Sequence, residues 1–296
     1  MRIVVTGKEG QVARSLVERA AGTDFEVITL GRPELDLAGG AETIVGLIEE
    51  ARPDVIVSAA AYTAVDKAES EPEIAFAVNE AGARAVAQAA NRLAVPLIHL
   101  STDYVFDGLK GAPYVEEDET GPTGVYGASK LAGEKAVLDE HSDTAILRTA
   151  WVYSPFGANF VKTMLRLAGD RDEVGVVSDQ RGNPTSALDI ADGILRVAAN
   201  VAGSAEGSLR GIFHMTAAGE GSWAEFAETI FAASAEAGGP SARVRAISTA
   251  DYPTAAKRPA NSRLDCGKLA RTHGVSLPDW HSSLKEVVSR LVRNGA

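Results

Sequence analysis

Five short apolar runs alternate with longer amphipathic stretches through the first half of the chain. The runs cover residues 2–6, 26–30, 54–58, 97–101 and 145–149 and are rich in valine, isoleucine and leucine. Strands that are buried on both faces of a parallel sheet have this continuous apolar character, and each needs a helical crossover to reach the next strand. The pattern therefore predicts an α/β fold with a doubly wound parallel sheet, which binds ligands at the carboxyl ends of its strands.

A loop with two glycines joins the first predicted strand to a helix-forming run. It reads Thr6-Gly7-Lys8-Glu9-Gly10-Gln11-Val12-Ala13. Gly7 permits the tight turn, and Gly10 lets the backbone approach a pyrophosphate at the positive end of the helix dipole. The loop predicts a dinucleotide site in a Rossmann-type fold, with Gln11 and Val12 as further cofactor contacts.

The segment after the second strand indicates which dinucleotide binds. NAD sites commonly place an acidic residue there to hold the ribose 2′-hydroxyl, but this chain has Leu30-Gly31-Arg32. An arginine suits a 2′-phosphate, so the sequence predicts NADPH as the first choice of cofactor and NADH as the second.

The pattern changes after residue 155. Helices are predicted near 160–167 and over 188–201, 223–235 and 282–292, with strands at 174–177 and 211–215. We expect residues 1–155 to form the dinucleotide-binding domain. Residues 156–296 are expected to be mainly a smaller C-terminal α/β substrate-binding lobe, partly interleaved with the first domain.

The catalytic chemistry is indicated by Tyr126 and Lys130, which lie four positions apart in a predicted helix and so share one face. Reduction of a ketone by hydride creates an alkoxide that needs a proton. A tyrosine can supply it when a nearby ammonium lowers its pKa from about 10. Upstream, Thr102 and Asp103 place a hydroxyl and a carboxylate at the end of a buried strand.

The glycine loop, the Ser101-Thr102-Asp103 segment and the Tyr-x-x-x-Lys pair, in this order, resemble the extended short-chain dehydrogenases/reductases. Within that superfamily, Thr102-Asp103-Tyr104-Val105-Phe106 resembles the dTDP-4-dehydrorhamnose reductases. Related 4,6-dehydratases have a glutamate at the position of Tyr104 and need it to eliminate water. The resemblance, which covers nearly the whole chain, thus implies simple reduction.

The resemblance also implies roles for individual residues. Thr102, Tyr126 and Lys130 would be catalytic, Lys130 also bonding the nicotinamide ribose. Asp103 and Trp151 would hold the sugar, and Arg258 would reach the diphosphate or nucleotide unless it pairs with an acidic side chain. The remaining cofactor contacts implied are Asp36 and Leu37 beside the adenine, and Ala60, Ala61 and Tyr62 along the cofactor.

The implied reaction is NAD(P)H-dependent reduction of the C4 ketone of dTDP-4-dehydro-L-rhamnose to dTDP-L-rhamnose, a step in carbohydrate precursor biosynthesis. Two alternatives stay open. One is another nucleotide-sugar reductase or epimerase, because a changed base pocket would leave the catalytic residues intact. The other is a non-catalytic regulatory subunit resembling that of methionine adenosyltransferase.

The net charge and the cysteine count of the chain indicate which partners and which compartment to expect. The net charge of −11 and a pI near 5.0 disfavour nucleic acid and anionic membranes as partners. The single cysteine, Cys266, fits a reducing cytoplasm, and we expect no membrane span. Some members of the resembled family dimerise through magnesium held by glutamates. Because Ser15 and Leu188 stand at the matching positions, we expect no metal site and leave a homodimer open.

Overall fold

The computed structural model describes residues 1–295. The seven strands predicted from the sequence lie within one residue of their expected bounds, and five further strands accompany them. They are β1 Arg2–Thr6, β2 Glu26–Leu30, β3 Val55–Ser58, β4 Leu97–Thr102, β5 Thr144–Thr149, β6 Val152–Tyr153, β7 Glu173–Val177, β8 Arg181–Gly182, β9 Thr185–Ser186, β10 Gly211–His214, β11 Gly221–Ser222 and β12 Arg243–Ile247.

Helices connect these strands. They are α1 Gln11–Ala20, α2 Ala41–Ala51, α3 Val65–Ala68, α4 Pro72–Phe76, α5 Ala83–Leu93, α6 Val125–Glu140, α7 Phe160–Asp170, α8 Ala187–Gly203, α9 Trp223–Glu236, α10 Gly267–His273 and α11 Trp280–Arg293. A π-helical turn, Ala77–Gly82, joins α4 to α5, and short 3-10 turns lie at Asp103–Val105, Gly207–Leu209 and Thr249–Asp251. None of the helices within residues 1–295 has the length and apolar character required to cross a membrane.

The central sheet confirms the predicted Rossmann-type fold. Six strands pair in the order β10-β5-β4-β3-β1-β2, and every pairing is parallel. The chain moves outward from β1 to β2 and then returns to build β3, β4 and β5 on the other side of β1. This reversal opens a crevice at the carboxyl ends of β1 and β3, where folds of this kind bind their ligands.

Two apolar layers cover the sheet. One packs α1 and α8 against residues such as Val5, Leu147 and Phe213. The other packs α2 and α5 against Ile56 and Leu97. Burying each such apolar side chain contributes roughly 1.5–3 kcal/mol, so these layers hold the strand ends in fixed positions.

A separate apolar cluster lies in the C-terminal lobe, where α7, α9 and α11 pack around Phe226, Trp280 and Leu284. Strand β10 and helix α8 come after residue 155 but belong to the central sheet and its covering layer. The division of the chain into domains at residue 155 stays a prediction.

Candidate active site

A cleft of about 1060 Å³ lies where the first four strands end, bounded by Thr6 at the end of β1, Gly31 after β2, Ala59 after β3 and Ser101 in β4. This volume is at the upper end for small-molecule sites and suits an extended ligand such as a dinucleotide. The cleft brings together every residue that the sequence assigned to cofactor binding. These are Gly7, Gly10, Gln11, Val12, Arg32, Asp36, Leu37, Ala60, Ala61, Tyr62, Tyr126 and Lys130.

The glycine loop has the geometry that a pyrophosphate needs. Gly7 has φ +101°, a left-handed conformation that other residues rarely adopt, and its N–H donates to the Leu30 carbonyl at 2.6 Å. Gly10 caps α1, and no side chain within residues 1–295 satisfies the helix terminus. A Cβ on Gly10 would meet none of the described atoms within 4 Å. The first N–H groups of α1 thus face open space, and the loop fits an anionic pyrophosphate.

Two polar side chains that the sequence analysis missed fix the walls of the cleft. The Thr6 hydroxyl accepts hydrogen bonds from the backbone N–H groups of Ala59 and Ala60 at 3.0 and 3.1 Å. Asn79, in the π-helical turn, accepts from the Tyr62 N–H at 2.8 Å and donates to the Tyr62 carbonyl at 3.1 Å. Neither residue belongs to a recognisable motif, so only the folded chain reveals their roles.

Gln11 lines the cleft, but its side chain is engaged elsewhere. Its amide oxygen accepts from the Ser154 hydroxyl at 2.8 Å and from the Asn159 amide at 3.0 Å. Its amide nitrogen donates to the Val152 carbonyl at 3.4 Å. Gln11 therefore ties the start of α1 to the segment after β5, and the loop there borders the cleft through Gly157.

The end of the cleft near β2 carries two cations. Arg32 is exposed and lines the cleft. Lys8 also lines it, lies against Gly31 and pairs with Glu34 at 2.5 Å. The positive charge of Arg32 is thus available to an anionic group at this end.

Tyr126 and Lys130 occupy the first turns of α6 and both line the cleft. Lys130 is 3% exposed, and its ammonium donates to the Leu100 carbonyl at 2.6 Å. The ring of Tyr126 packs edge-on against Tyr104, with 5.6 Å between ring centroids. Acid and ammonium therefore face the cleft from one side of one helix, as the four-residue spacing predicted.

The expected lowering of the pKa of Tyr126 is wrong for this structure. Burial raises the pKa of Tyr126 to about 12, although a hydrogen bond with Thr102 acts in the opposite direction. Burial also lowers the pKa of Lys130 to about 8, while Glu134 raises it. The expected lowering of the pKa of Tyr126 does not occur because the Lys130 ammonium is directed at the Leu100 carbonyl and not at the phenol. Both groups still carry their protons at neutral pH.

The residues assigned to the substrate form a second group beside the cleft. Thr102 donates to the Asp103 carboxylate at 2.8 Å, and the nearby Ser262 hydroxyl acts to lower the pKa of Asp103. The indole N–H of Trp151 donates to the Ser262 hydroxyl at 3.1 Å. Ser262, which the sequence analysis did not assign, thus joins Thr102, Asp103 and Trp151 into one chain of contacts.

Asp103 is 2% exposed, and burial raises its pKa to about 7. Its Oδ2 atom has no hydrogen-bond partner within residues 1–295. Trp151 has φ +47° and stacks on Trp223 with 3.6 Å between ring centroids. A buried acceptor and a fixed indole face, side by side, suit a ligand with hydroxyl groups and an apolar face.

Arg258 lies outside the cofactor cleft as far as the described residues define it. It pairs with Asp66 at 2.6 Å, which is the ion pair considered as the alternative to a substrate contact. Its Nη1 atom is buried and has no partner among residues 1–295. The guanidinium therefore retains one donor that Asp66 does not use.

The positions that correspond to the magnesium ligands are buried in the packing. The Ser15 hydroxyl donates to the Gln11 carbonyl at 2.8 Å, and Leu188 is 2% exposed. In the part of the chain that the structure describes, no group of three or more histidine, cysteine, aspartate or glutamate side chains is placed to hold a metal ion.

Comparison with known proteins gives consistent matches along the chain. The model of the family described as the RmlD substrate binding domain matches residues 1–293. A dTDP-4-dehydrorhamnose reductase of Sinorhizobium fredii is 55% identical over 295 residues, covering 100% of this chain and 99% of the relative. The structure of a Clostridium acetobutylicum dTDP-4-dehydrorhamnose reductase has a TM-score of 0.91 at 37% identity, covering 98% of this chain and 99% of that one. A Bacillus anthracis dTDP-4-dehydrorhamnose reductase in complex with NADP has a TM-score of 0.89 at 35% identity, covering 97% and 98%.

Proposed function

Because this chain belongs to the dTDP-4-dehydrorhamnose reductase family, we propose that it reduces the C4 ketone of dTDP-4-dehydro-L-rhamnose to dTDP-L-rhamnose. It is an NAD(P)H-dependent oxidoreductase, and NADPH is the proposed first choice of cofactor. The observation that carries the proposal is that Tyr126 and Lys130 line the same cleft as the glycine loop before α1. A proton donor and a dinucleotide site thereby share one cavity.

When bound, the cofactor supplies the hydride that is added to the C4 carbon. The first N–H groups of α1 would hold the pyrophosphate, and Lys130 would orient the ribose. Tyr126 gives its phenolic proton to the oxygen at C4, and the Thr102 hydroxyl turns from Asp103 to donate to that oxygen. Because the pKa of Tyr126 is about 12, the phenol keeps its proton at neutral pH until the alkoxide forms.

The substrate is proposed to lie against the second group of residues. Among residues 1–295, the Oδ2 atom of Asp103 has no hydrogen-bond partner, and in this proposal it accepts a hydrogen bond from a sugar hydroxyl. The Trp151 indole packs on the sugar. The free Nη1 donor of Arg258 contacts the diphosphate. A cytoplasmic location is part of the same proposal and rests on the single, free thiol of Cys266.

The test is loss of NADPH absorbance with dTDP-4-dehydro-L-rhamnose, run beside the same sugar carried on UDP or GDP. Rapid oxidation with the dTDP substrate alone is the expected result. Equal rates with all three would favour another nucleotide-sugar reductase. Silence with every sugar, despite measurable cofactor binding, would overturn the enzymatic proposal in favour of a regulatory subunit.

Replacing Arg32 by alanine is expected to weaken NADPH binding about tenfold, a loss of about 1.4 kcal/mol, and to change NADH binding less than about twofold. The 2′-phosphate loses a cation at the cleft end, whereas NADH has no phosphate there. Dissociation constants for both cofactors, measured by fluorescence titration, check the prediction. Arg14→Ala, an exposed cation of α1, is the control. An equal loss for both cofactors would contradict the assignment.

Ketone reduction is expected to decline as the pH rises through about 8. Lys130, whose pKa is about 8, loses its charge in that range, while Tyr126, with a pKa of about 12, stays protonated. The profile of kcat/KM between pH 6 and 10 checks this. The residual activity of Lys130→Arg is the control, because arginine stays charged throughout. A decline at the same pH in that variant would mean that a group other than Lys130 causes the loss of activity at high pH.

A further inference from the structure

A fully buried ion pair lies directly behind the proposed catalytic residues. Arg148 of β5 donates to both oxygens of Glu134 of α6, at 2.9 and 2.7 Å, and each side chain is 2% exposed. Desolvating two charges is so unfavourable that a well-packed apolar pair is often equally stable in such a place. Packing of α6 on the sheet therefore does not by itself account for charged residues here.

The position of Glu134 connects it to the site. Tyr126, Lys130 and Glu134 follow one another at intervals of four along α6, so they form one row on the face that meets the sheet. Lys130 bonds to the Leu100 carbonyl of β4, and Arg148 lies opposite Ser101, the next residue of β4. Lys130 and the ion pair thus tie α6 to two neighbouring strands, β4 and β5, one helical turn apart.

Among the charged and titratable groups around Lys130, Glu134 is the one whose negative charge acts on it. On α6 the neighbours are Tyr126 and Glu134. On β4, burial and the charge of Lys130 hold the pKa of His99 well below its usual range, so this imidazole is neutral. Asp103, past the end of β4, faces Thr102 and Ser262, and on β5 Arg148 is paired with Glu134.

The effects on Lys130 have opposite signs. Burial lowers the pKa of Lys130 to about 8, and the negative charge of Glu134 raises it. Without that charge, burial alone would bring the loss of the proton closer to neutral pH. A neutral Lys130 would no longer act as a cation beside the cofactor ribose and Tyr126.

We propose that Glu134, held in place by its bidentate pairing with Arg148, is a positioning residue that keeps Lys130 in its protonated form at and above neutral pH. The inference rests on the proposed function, in which Lys130 acts as an ammonium. Arg148 serves this role indirectly, because its two hydrogen bonds fix the Glu134 carboxylate one helical turn from Lys130. The pair also fixes the rotation of α6 against β5.

The direct test is an NMR titration of Lys130 in cofactor-free protein labelled with 13C at lysine Cε, its signal being assigned by its loss in Lys130→Arg. Glu134→Gln is expected to move the Lys130 midpoint about one pH unit toward acid, the low end of what an adjacent opposite charge produces. Glu140→Gln makes the same change at the end of the same helix, where Glu140 contacts Gln88, and is expected to leave the midpoint unchanged. An unmoved midpoint in folded Glu134→Gln overturns the proposal.

A second variant covers the case in which Glu134→Gln does not fold because Arg148 is left unpaired. The double change Glu134→Gln with Arg148→Gln replaces both charges by amides that still bond to each other. Its midpoint is expected to move toward acid by less than one unit, because the loss of the Arg148 charge acts in the opposite direction to the loss of the Glu134 charge. A folded double variant with the wild-type midpoint overturns the proposal.

Kinetics separate this role from a purely structural one. The alkaline limb of kcat/KM is expected to move by the same interval as the NMR midpoint, whereas a structural defect lowers kcat and leaves the limb in place. If the midpoint moves but wild-type protein turns over none of the sugars, the proposed function fails and the inference about Lys130 stands. If wild-type protein turns over and the midpoint stays, the inference fails alone.

Discussion

Replacement of Tyr126 by phenylalanine is expected to reduce ketone reduction about 10³-fold, within the range that removal of a general acid produces. The phenol is the donor proposed to protonate the C4 oxygen, and phenylalanine keeps the ring that packs on Tyr104. The cofactor contacts of the glycine loop are untouched, so the dissociation constant for NADPH is expected to change less than about twofold. Steady-state turnover and cofactor titration together measure both effects.

Tyr153→Phe is the matched control. It removes a buried hydroxyl that donates to the Trp280 carbonyl at 3.2 Å in the C-terminal lobe, so it is expected to affect stability and leave turnover nearly unchanged. If Tyr126→Phe kept more than a tenth of wild-type turnover, the proton would have to come from another group. A parallel loss of activity and NADPH affinity would instead indicate a disturbed cleft.

The fold and the cofactor cleft were predictable because their determinants are local in the chain. Continuous apolar runs specify strands that are buried on both faces, and the glycine loop specifies the turn between β1 and α1. Once these strands pair in parallel, their carboxyl ends meet at one edge of the sheet. Residues as far apart in sequence as Gly7, Ala60 and Lys130 then line one cavity.

Contacts that depend on distant packing were not predictable in the same way. Trp151 and Ser262 are 111 positions apart, and no periodicity indicates that a serine of the C-terminal lobe will join Asp103 to Trp151. The prediction of a lowered pKa for Tyr126 was wrong for a similar reason. The four-residue spacing places Lys130 beside it, but burial and the direction of the ammonium depend on how α6 packs against β4.

Replacing Gly133 by alanine is expected to destabilise the protein by about 2 kcal/mol, within the range of overpacked sites. A Cβ at this position of α6 would lie 2.1 Å from the Asn79 carbonyl oxygen, a backbone atom of the π-helical turn. Asn79 also donates to Ser129 of α6 at 2.9 Å and fixes Tyr62. Moving α6 away would therefore disturb both the helix that carries Tyr126 and the wall of the cleft. Denaturant unfolding and turnover are the measurements.

Gly46→Ala is the control for Gly133→Ala, because it makes the same change in a helix where the added Cβ has room. Gly46 lies in the middle of α2, and a Cβ there would meet none of the atoms outside its own helix backbone within 4 Å, as far as residues 1–295 are concerned. Alanine favours a helix over glycine by about 1 kcal/mol, so this variant is expected to be more stable than the wild type, with unchanged turnover. Replacing glycine by alanine is thus expected to change stability in opposite directions in α2 and α6. If Gly133→Ala were also stabilising, the close approach of α6 to the π-helical turn would not be what places Tyr126.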